Sequence, residues 1–227
     1  MGRKEMNAST EALPGNDASE TLAEIAYQRI SEMILTLELK PGALISETVL
    51  SNHLGIGRTP VRESLKRLKR DRLVHIMPRR GIVVAGIDIA EQILALEVRR
   101  HVERILVTRA ARRSTSLQRA QFELFADQLQ HFAELGDPQG YMQVDREYDE
   151  LIDRCAANPY ATDALRPIHA VVRRFWATMN GTEEWHRVAT LHIDVVRAVA
   201  TGDTEKAETA SAALMDYNEK IFRALIE

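Results

Sequence analysis

The chain has 227 residues, of which 45% are hydrophobic and 28% are charged, and its formal net charge is −3. This apolar content is sufficient for the core of one large domain or two modest ones. No apolar run approaches the roughly 18 residues of a membrane-spanning helix, and the start lacks the apolar segment of a signal peptide. The single cysteine, Cys155, excludes an intrachain disulfide and most thiolate metal sites. The sequence therefore predicts a cytoplasmic protein with no membrane partner.

Charge is distributed unevenly along the chain. Residues 22 to 86 carry 11 Lys/Arg and 6 Asp/Glu, a net charge of +5, whereas residues 87 to 227 carry 17 and 23, a net charge of −6. A basic segment joined to an acidic one predicts that nucleic acid contacts only the first. Residues 1 to 20 are small and polar, and we expect them to form a disordered leader.

The basic segment begins with two predicted helices. Apolar residues of helical period predict the first helix over about residues 22 to 38. The turn Lys40-Pro41-Gly42 follows, and Ser46 can cap a short second helix that runs to about His53. Gly55-Ile56-Gly57 then forms a tight turn before a third helix.

The third predicted helix, residues 58 to 72, has one apolar and one basic face. Val61, Leu65 and Leu68 share a stripe, so this face packs on a small core. The opposite face is basic and carries Arg62, Lys66, Lys69 and Arg70. Such a face is directed at phosphates and base edges, and the alternative is an ordinary solvated surface.

Two predicted strands, residues 73 to 77 and 82 to 85, follow the basic helix. The hairpin tip Pro78-Arg79-Arg80-Gly81 joins them and adds two positive charges. Two helices, a basic helix and a basic hairpin together predict a winged helix-turn-helix that binds double-stranded DNA.

The motif RTPVRESLKRL followed by PRRG resembles the DNA-binding domain of GntR-family bacterial transcription regulators, over about residues 24 to 86. The resemblance implies that Arg58 and Arg62 contact guanines or phosphates, that Thr59 contacts a phosphate, and that the wing reaches the minor groove. Gly57 stands where the family has Ser or Thr, which predicts a weaker contact at the helix start. Together with the basic face, the predicted DNA-binding residues are Arg58, Thr59, Pro60, Arg62, Lys66, Lys69, Arg79, Arg80 and Gly81.

Long helical periodicities fill the rest of the chain. The six predicted helices span residues 88 to 113, 116 to 135, 138 to 157, 160 to 180, 182 to 201 and 203 to 225, separated by Gly, Pro and Asn breaks. The predicted fold is mainly α: an N-terminal winged helix-turn-helix over residues 21 to 86, then an all-α antiparallel bundle of about six helices over residues 87 to 227.

This second segment resembles the FCD effector domain of the FadR-like GntR branch. The similar motifs are ALEVRRHVE, Asp-x-x-Tyr before an Asn-Pro break, RRFW and LHIDVVRAVATGD, within residues 88 to 223. The resemblance implies a domain for effector binding and dimerisation. Many members of the branch bind one metal ion through one Asp and three His, and this ion holds a small carboxylate.

The sequence matches this ligand set only in part. Asp145 matches the Asp and His192 matches a His, but Asp149 and Leu214 stand at the other two His positions. Asp145 and Asp149 share one helix face, so both can reach one ion, with His169 as a substitute ligand. An oxygen-rich set of Asp145, Asp149 and His192 favours Mg²⁺ or Mn²⁺ over Zn²⁺ or Ni²⁺, or no divalent metal.

A metal-free pocket is the favoured alternative. Arg99, which lies in a Glu-x-Arg-x-x-x-Glu pattern, either binds an organic acid or pairs with Glu97 or Glu103. Arg173 or the next residue can line the same cavity, and Tyr148 can donate its hydroxyl to a ligand or pack in the core. The predicted effector-binding residues are Arg99, Tyr148 and Arg173.

These patterns predict a transcription regulator rather than an enzyme. We expect a homodimer on a short palindromic operator, acting as a repressor that a small organic acid releases. Two alternatives stay open: a metal-dependent enzyme with an appended DNA-binding domain, and a non-specific nucleic-acid-binding protein. No Ser-His-Asp, Cys-His or Gly-rich phosphate motif favours the first, and the chain lacks an aromatic platform for single strands.

Overall fold

The computed structural model describes residues 21–77 and 81–227. The predicted leader, Arg79 and Arg80 lie outside the described residues. The N-terminal elements are α1 (Leu22–Leu35), β1 (Leu44–Ile45), α2 (Glu47–Leu54), α3 (Arg58–Arg70), β2 (Val74–Met77) and β3 (Gly81–Val84). The C-terminal elements are α4 (Ile89–Arg113), α5 (Ser116–Leu135), α6 (Pro138–Ala156), α7 (Pro159–Thr178), α8 (Glu183–Thr201) and α9 (Thr204–Ala224). The prediction of a mainly α fold is confirmed.

The N-terminal elements form a winged helix-turn-helix. Its strands make an antiparallel sheet in the order β1-β3-β2, in which Leu44 pairs with Val83 and Val74 pairs with Val84. Strand β1 was not predicted, because two residues show no periodicity. Helix α1 ends three residues earlier than predicted, since Leu37 adopts a left-handed φ of 62°.

Local signals fix the start of α2 and the orientation of α3. The Ser46 hydroxyl accepts a hydrogen bond from the Val49 amide at 3.2 Å, and Gly55 ends α2 in the left-handed region. Gly57 precedes α3 without a side-chain cap, as predicted. The apolar stripe of α3 is buried in a core shared with α1 and the sheet, so its basic face points outward.

The six C-terminal helices form a bundle with a separate core. Helix α4 contacts α6, α7, α8 and α9, while α5 packs on α6 and α8. Each helix is preceded by an N-cap residue whose side chain accepts a hydrogen bond from a backbone amide, namely Asp88, Thr115, Asp137, Asn158, Thr182 and Asp203. Across residues 21–77 and 81–227, no helix is both long and apolar enough to span a membrane.

Helix α7 connects the bundle to the DNA-binding unit. Ala170 packs against the N-terminal core, and the Arg174 guanidinium donates a hydrogen bond to the carbonyl of Ala85, just after β3. Arg146 of α6 adds an ion pair to Glu32 of α1 at 3.4 Å. Contacts from α6 and α7 therefore hold the bundle against the winged helix-turn-helix.

Candidate functional site

Helix α3 presents the predicted DNA-binding side chains on one solvent-exposed face. Those of Arg58, Thr59, Arg62, Lys66 and Lys69 are exposed, while Pro60 in the first turn is half-buried. No acidic residue lies in the first turn, so the positive end of the helix dipole and the arginines attract phosphate together.

Arg62 is held in place by Glu47 of α2. Its Nε lies 3.0 Å from Glu47 Oε1 and its Nη2 lies 2.7 Å from Oε2, and these hydrogen bonds hold the pKa of Glu47 below its ordinary value. Because the Arg62 side chain is exposed and that of Glu47 is only partly buried, the pair adds little stability. It orients the guanidinium and leaves Nη1 without a partner among the described residues. Glu47 was missed from the sequence, since it lies 15 residues away.

Gly81 has a structural reason to be glycine. Its φ of +96° is in the left-handed region, and a Cβ there would lie 3.3 Å from the carbonyl oxygen of Ile45. The residue thus permits both the hairpin and the close approach of β1. Its predicted DNA contact stays a prediction, as do those of Arg79 and Arg80.

A cavity of about 90 Å³ lies among helices of the bundle. This is several times the roughly 10 to 15 Å³ that one water molecule requires, so it can hold a small ligand. The apolar side of its lining includes Val172, Trp176, Trp185, Val188 and Leu214, and the polar side includes Arg99, Glu103, Tyr141, Asp145, Asp149, His169, Arg173 and His192. Two of the three predicted effector-binding residues, Arg99 and Arg173, therefore line one cavity.

Tyr148 does not line this cavity, which corrects the prediction. Its side chain is 1% exposed and packs edge-on against Phe122 and His192, with ring centroids 5.9 and 5.2 Å away. Its hydroxyl is buried and has no partner among the described residues. Tyr148 therefore packs in the core, which was the predicted alternative, and Tyr141, seven residues earlier on α6, lines the cavity instead.

Arg173 of α7 bridges the two aspartates of α6. Its Nε donates to Asp145 Oδ2, and its Nη2 donates to Asp149 Oδ2 at 2.5 Å. Although burial opposes ionisation, the charges of His169 and Arg173 hold the pKa of Asp149 well below its usual range. Both carboxylates are therefore ion-paired with one guanidinium.

His169 lies between two carboxylates. Its Nδ1 is 2.7 Å from Asp149 Oδ2 and its Nε2 is 2.9 Å from Glu103 Oε2, so both ring nitrogens donate and the ring is an imidazolium. Burial opposes this charge, but the two carboxylates raise the pKa of His169 to about 9. Burial likewise opposes ionisation of Glu103, yet Arg99 and His169 lower the pKa of Glu103 to about 2.

Arg99 forms an internal ion pair, which was one of the predicted alternatives. Its partner is Glu103, whereas Glu97 is exposed. Only the Nε of Arg99 takes part, at 3.0 Å from Glu103 Oε2. Both terminal nitrogens lack a hydrogen-bond partner among the described residues, although the side chain lines the cavity. Close by, the Nδ1 of His192 lies 3.1 Å from the Tyr141 hydroxyl, and burial lowers the pKa of His192, which favours a neutral ring.

The predicted metal ligands do not fit a divalent ion in this arrangement. The Arg173 guanidinium lies against Asp145 and Asp149, where an ion would be needed, and His192 Nε2 is 3.6 Å from Asp145 Oδ1. Leu214 contributes only apolar surface. Within the described ranges, no group of three or more His, Cys, Asp or Glu side chains is placed to hold a metal. A side-chain cation thus occupies the position expected for a metal.

The role of His169 as a charge partner was missed from the sequence. His169 and Arg173 are four residues apart, so they share one face of α7, as Asp145 and Asp149 share one face of α6. The sequence therefore contained a signal for these ion pairs, namely two acidic side chains four residues apart on α6 and two basic side chains four residues apart on α7. Glu103, which completes the cluster, lies 66 residues from His169.

Comparison with known proteins agrees with this architecture. The family described as "FCD domain" matches residues 94–217, and "Bacterial regulatory proteins, gntR family" matches residues 22–84. The chain belongs to the GntR family and carries an FCD domain. The gntR family is described as regulatory proteins, and the matching relatives are named as transcriptional regulators, so the prediction of a DNA-binding regulator rather than an enzyme is confirmed.

Individual relatives are similar to this GntR-family chain over shares that range from about a third to nearly all of its length. The HTH-type transcriptional repressor RspR of Escherichia coli (strain K12) is 24% identical over 218 residues, which are 95% of this chain and 94% of RspR. An uncharacterized HTH-type regulator of Streptomyces ambofaciens is 44% identical over 77 residues, which are 34% of this chain and 33% of that protein.

Two solved structures share the fold. E. coli McbR/YncC has a TM-score of 0.76 at 21% identity and covers 91% of this chain and 99% of its own. A putative GntR regulator from Rhodococcus sp. RHA1 has a TM-score of 0.72 at 20% identity and covers 89% of this chain and 97% of its own.

Proposed function

We propose that this regulator is a cytoplasmic, homodimeric repressor whose operator affinity is lowered by a small carboxylate metabolite bound in the bundle cavity. The observation that carries the proposal is a cavity in the bundle that is lined by two arginines, together with helix α7, which contacts both this cavity and the DNA-binding unit. The relative RspR is named as a repressor, and this supports the sign of regulation.

The effector is proposed to bind without a metal ion. Arg99 offers two terminal nitrogens that have no partner among the described residues, and Arg173 offers Nη1 in the same cavity. A guanidinium binds a carboxylate through two parallel hydrogen bonds, which gives both strength and geometric selectivity. The two arginines therefore supply the positive charge that a metal supplies elsewhere in the family.

A dimer is supported by the geometry of both units. One α3 helix reads only a half-site, so a two-fold axis and a palindromic operator are expected. Leu94, Val98 and Ile105 are exposed on one side of α4, at 63%, 48% and 41%. A second copy of the chain would remove this apolar stripe from water.

Helix α7 is proposed to transmit the effector signal. Arg173 lines the cavity, while the next residue, Arg174, holds the Ala85 carbonyl at the start of the connection to α4. An effector that binds better to one position of α7 shifts the DNA-binding units towards the matching arrangement. Typical coupling of about 1 to 3 kcal/mol would change operator affinity about 5- to 150-fold.

Variants of α3 test whether this helix recognises a specific operator sequence. We expect Arg58→Ala and Arg62→Ala each to cost about 1 to 3 kcal/mol on a duplex selected from a random pool, because each removes a base or phosphate contact. Fluorescence anisotropy measures the affinity, and titration to saturation should give two chains per duplex. Arg112→Ala, an exposed arginine on α4, is the control. Equal binding of selected and scrambled duplexes, or wild-type affinity in both α3 variants, would contradict specific recognition.

The coupling is tested with Arg174→Met. We expect this variant to bind the operator like the wild type but to lose the change in affinity caused by the effector, since the bond between α7 and Ala85 is gone. The assay repeats the anisotropy titration with a panel of sugar acids, dicarboxylates, amino acids and aromatic acids. Arg166→Met on the exposed side of α7 should keep the response. A full response in Arg174→Met would rule out this route.

A further inference from the structure

The charges around the cavity are already balanced without a ligand. Arg99, Arg173 and the imidazolium of His169 carry three positive charges, and Glu103, Asp145 and Asp149 carry three negative ones. The side chains of all six are at most 20% exposed. A charge added to such a site without its counter-charge is costly, because little water reaches it.

The cluster nevertheless keeps free donors and free acceptors together. Glu103 Oε1 and Asp149 Oδ1 accept no hydrogen bond from the described residues, since both carboxylates use only their second oxygen. The terminal nitrogens of Arg99 and Nη1 of Arg173 donate none. None of these atoms is among the fully buried polar atoms without a partner, so each keeps some accessible surface.

The opposite side of the cavity accepts an apolar group. Val172, Trp176, Val188 and Leu214 line it, and the Tyr141 ring packs edge-on against Trp185 with centroids 5.4 Å apart. Trp176 Nε1 donates to Asn218 Oδ1 at 2.9 Å, and Asn218 Nδ2 donates to the Leu214 carbonyl at 2.7 Å, so the polar groups of these two side chains are satisfied. A polyhydroxylated or dicarboxylic tail would find few hydrogen-bond partners on this mostly apolar side.

We propose that the effector is a small zwitterion with an apolar side chain, of the α-amino acid class. Its carboxylate binds the free nitrogens of Arg99 and Arg173, its ammonium group binds the free oxygens of Glu103 and Asp149, and its side chain packs on the apolar wall. Because the ligand carries both charges, the cavity stays neutral. The inference rests on the proposed function, namely that this cavity is the effector site.

The test compares each amino acid with matched compounds that lack one charge. The set contains L-valine, L-leucine, L-methionine and L-phenylalanine, together with the corresponding deaminated acids and decarboxylated amines. Calorimetric titration of the full-length protein gives the affinities, and operator anisotropy gives the response. We expect at least one amino acid to bind about 10-fold or more tightly than both of its matched compounds, and to weaken operator binding.

Variants on α4 locate the binding site. Arg99→Met should reduce the affinity for the amino acid about 10-fold or more, whereas Arg104→Met, which changes an exposed arginine paired with Glu208, should not. If Arg99→Met does not fold, the comparison of each amino acid with its two matched compounds on the wild-type protein still tests the proposal.

The possible failures are distinguishable. A deaminated acid that binds as tightly as its amino acid and weakens operator binding overturns the zwitterion and leaves the proposed function intact. If an amino acid binds but Arg99→Met binds it equally well, the site is elsewhere and the inference fails. If no compound of the set binds, the inference is overturned, and a lack of response to the wider acid panel as well removes the proposed effector function.

Discussion

Replacing Arg173 by methionine is expected to lower the free energy of unfolding by about 3 to 5 kcal/mol, because it leaves partly buried carboxylates without their cation. Arg173 donates to both Asp145 and Asp149, and His169 compensates only the second of them. Chemical denaturation followed by circular dichroism at neutral pH measures the loss. The carboxylates that lose their partner are expected to protonate more readily, so the deficit should shrink as the pH falls.

The next residue supplies the control for this prediction. Arg174 is 2% exposed, and its side chain has no carboxylate within 4.0 Å among the described residues. Its Nε is buried without a partner, and burial lowers the pKa of Arg174. Because methionine removes an uncompensated buried charge there, Arg174→Met should change stability by less than about 1 kcal/mol. Equal losses in both variants would show that Arg173 contributes through packing rather than through its ion pairs.

The two arginines differ in their partners, because Arg173 has two carboxylates and Arg174 has only the carbonyl of Ala85 among the residues that the structure describes. A buried guanidinium with a single carbonyl partner is unfavourable for stability, so stability alone does not account for it. Its position, between Arg173, which lines the cavity, and the junction with the DNA-binding unit, suits the proposed role in coupling. Regulation requires two arrangements of similar free energy, and a weakly satisfied contact at the junction keeps them close.

The helices were largely predictable because their signals are local. Thr115 and Gln118 form a reciprocal capping box at the start of α5, and Gly202 ends α8 with a φ of 76°, so two short motifs fix these boundaries. The predicted and observed limits of α5 are identical. The winged helix-turn-helix was equally predictable from the sequence. The apolar stripe of α3 packs on the core, so the basic residues on the opposite side are exposed.

The cavity was only partly predictable because its contacts join distant parts of the chain. The pair between Arg99 and Glu103 lies within one helical turn and was an explicit alternative. His169, by contrast, contacts Asp149 and Glu103, which lie 20 and 66 residues away. Such contacts depend on the crossing of helices, so the resemblance to a metal-binding family suggested an ion where the fold places a guanidinium.

The stability of the wild-type protein is expected to fall as the pH rises through about 9, and His169 is the cause. Its pKa is raised from 6.5 to about 9 in the folded state, so its contribution is complete below pH 6.5 and is lost as the pH rises through about 9. This rise corresponds to a contribution on the order of 3 kcal/mol. The pKa of Glu103 is lowered to about 2, so the opposite loss lies in acid, as the pH falls from 4.5 towards 2.

A histidine variant isolates this effect. His169→Gln keeps a hydrogen-bonding side chain but cannot carry a charge, so its free energy of unfolding should be lower at pH 6 and change much less between pH 6.5 and 9.5. His186→Gln, which changes an exposed histidine on α8, should retain the wild-type pH profile. Denaturant titrations at a series of pH values measure all three. Parallel profiles of the wild type and His169→Gln would mean that His169 is neutral in the folded protein, and the charge balance around the cavity would then be different.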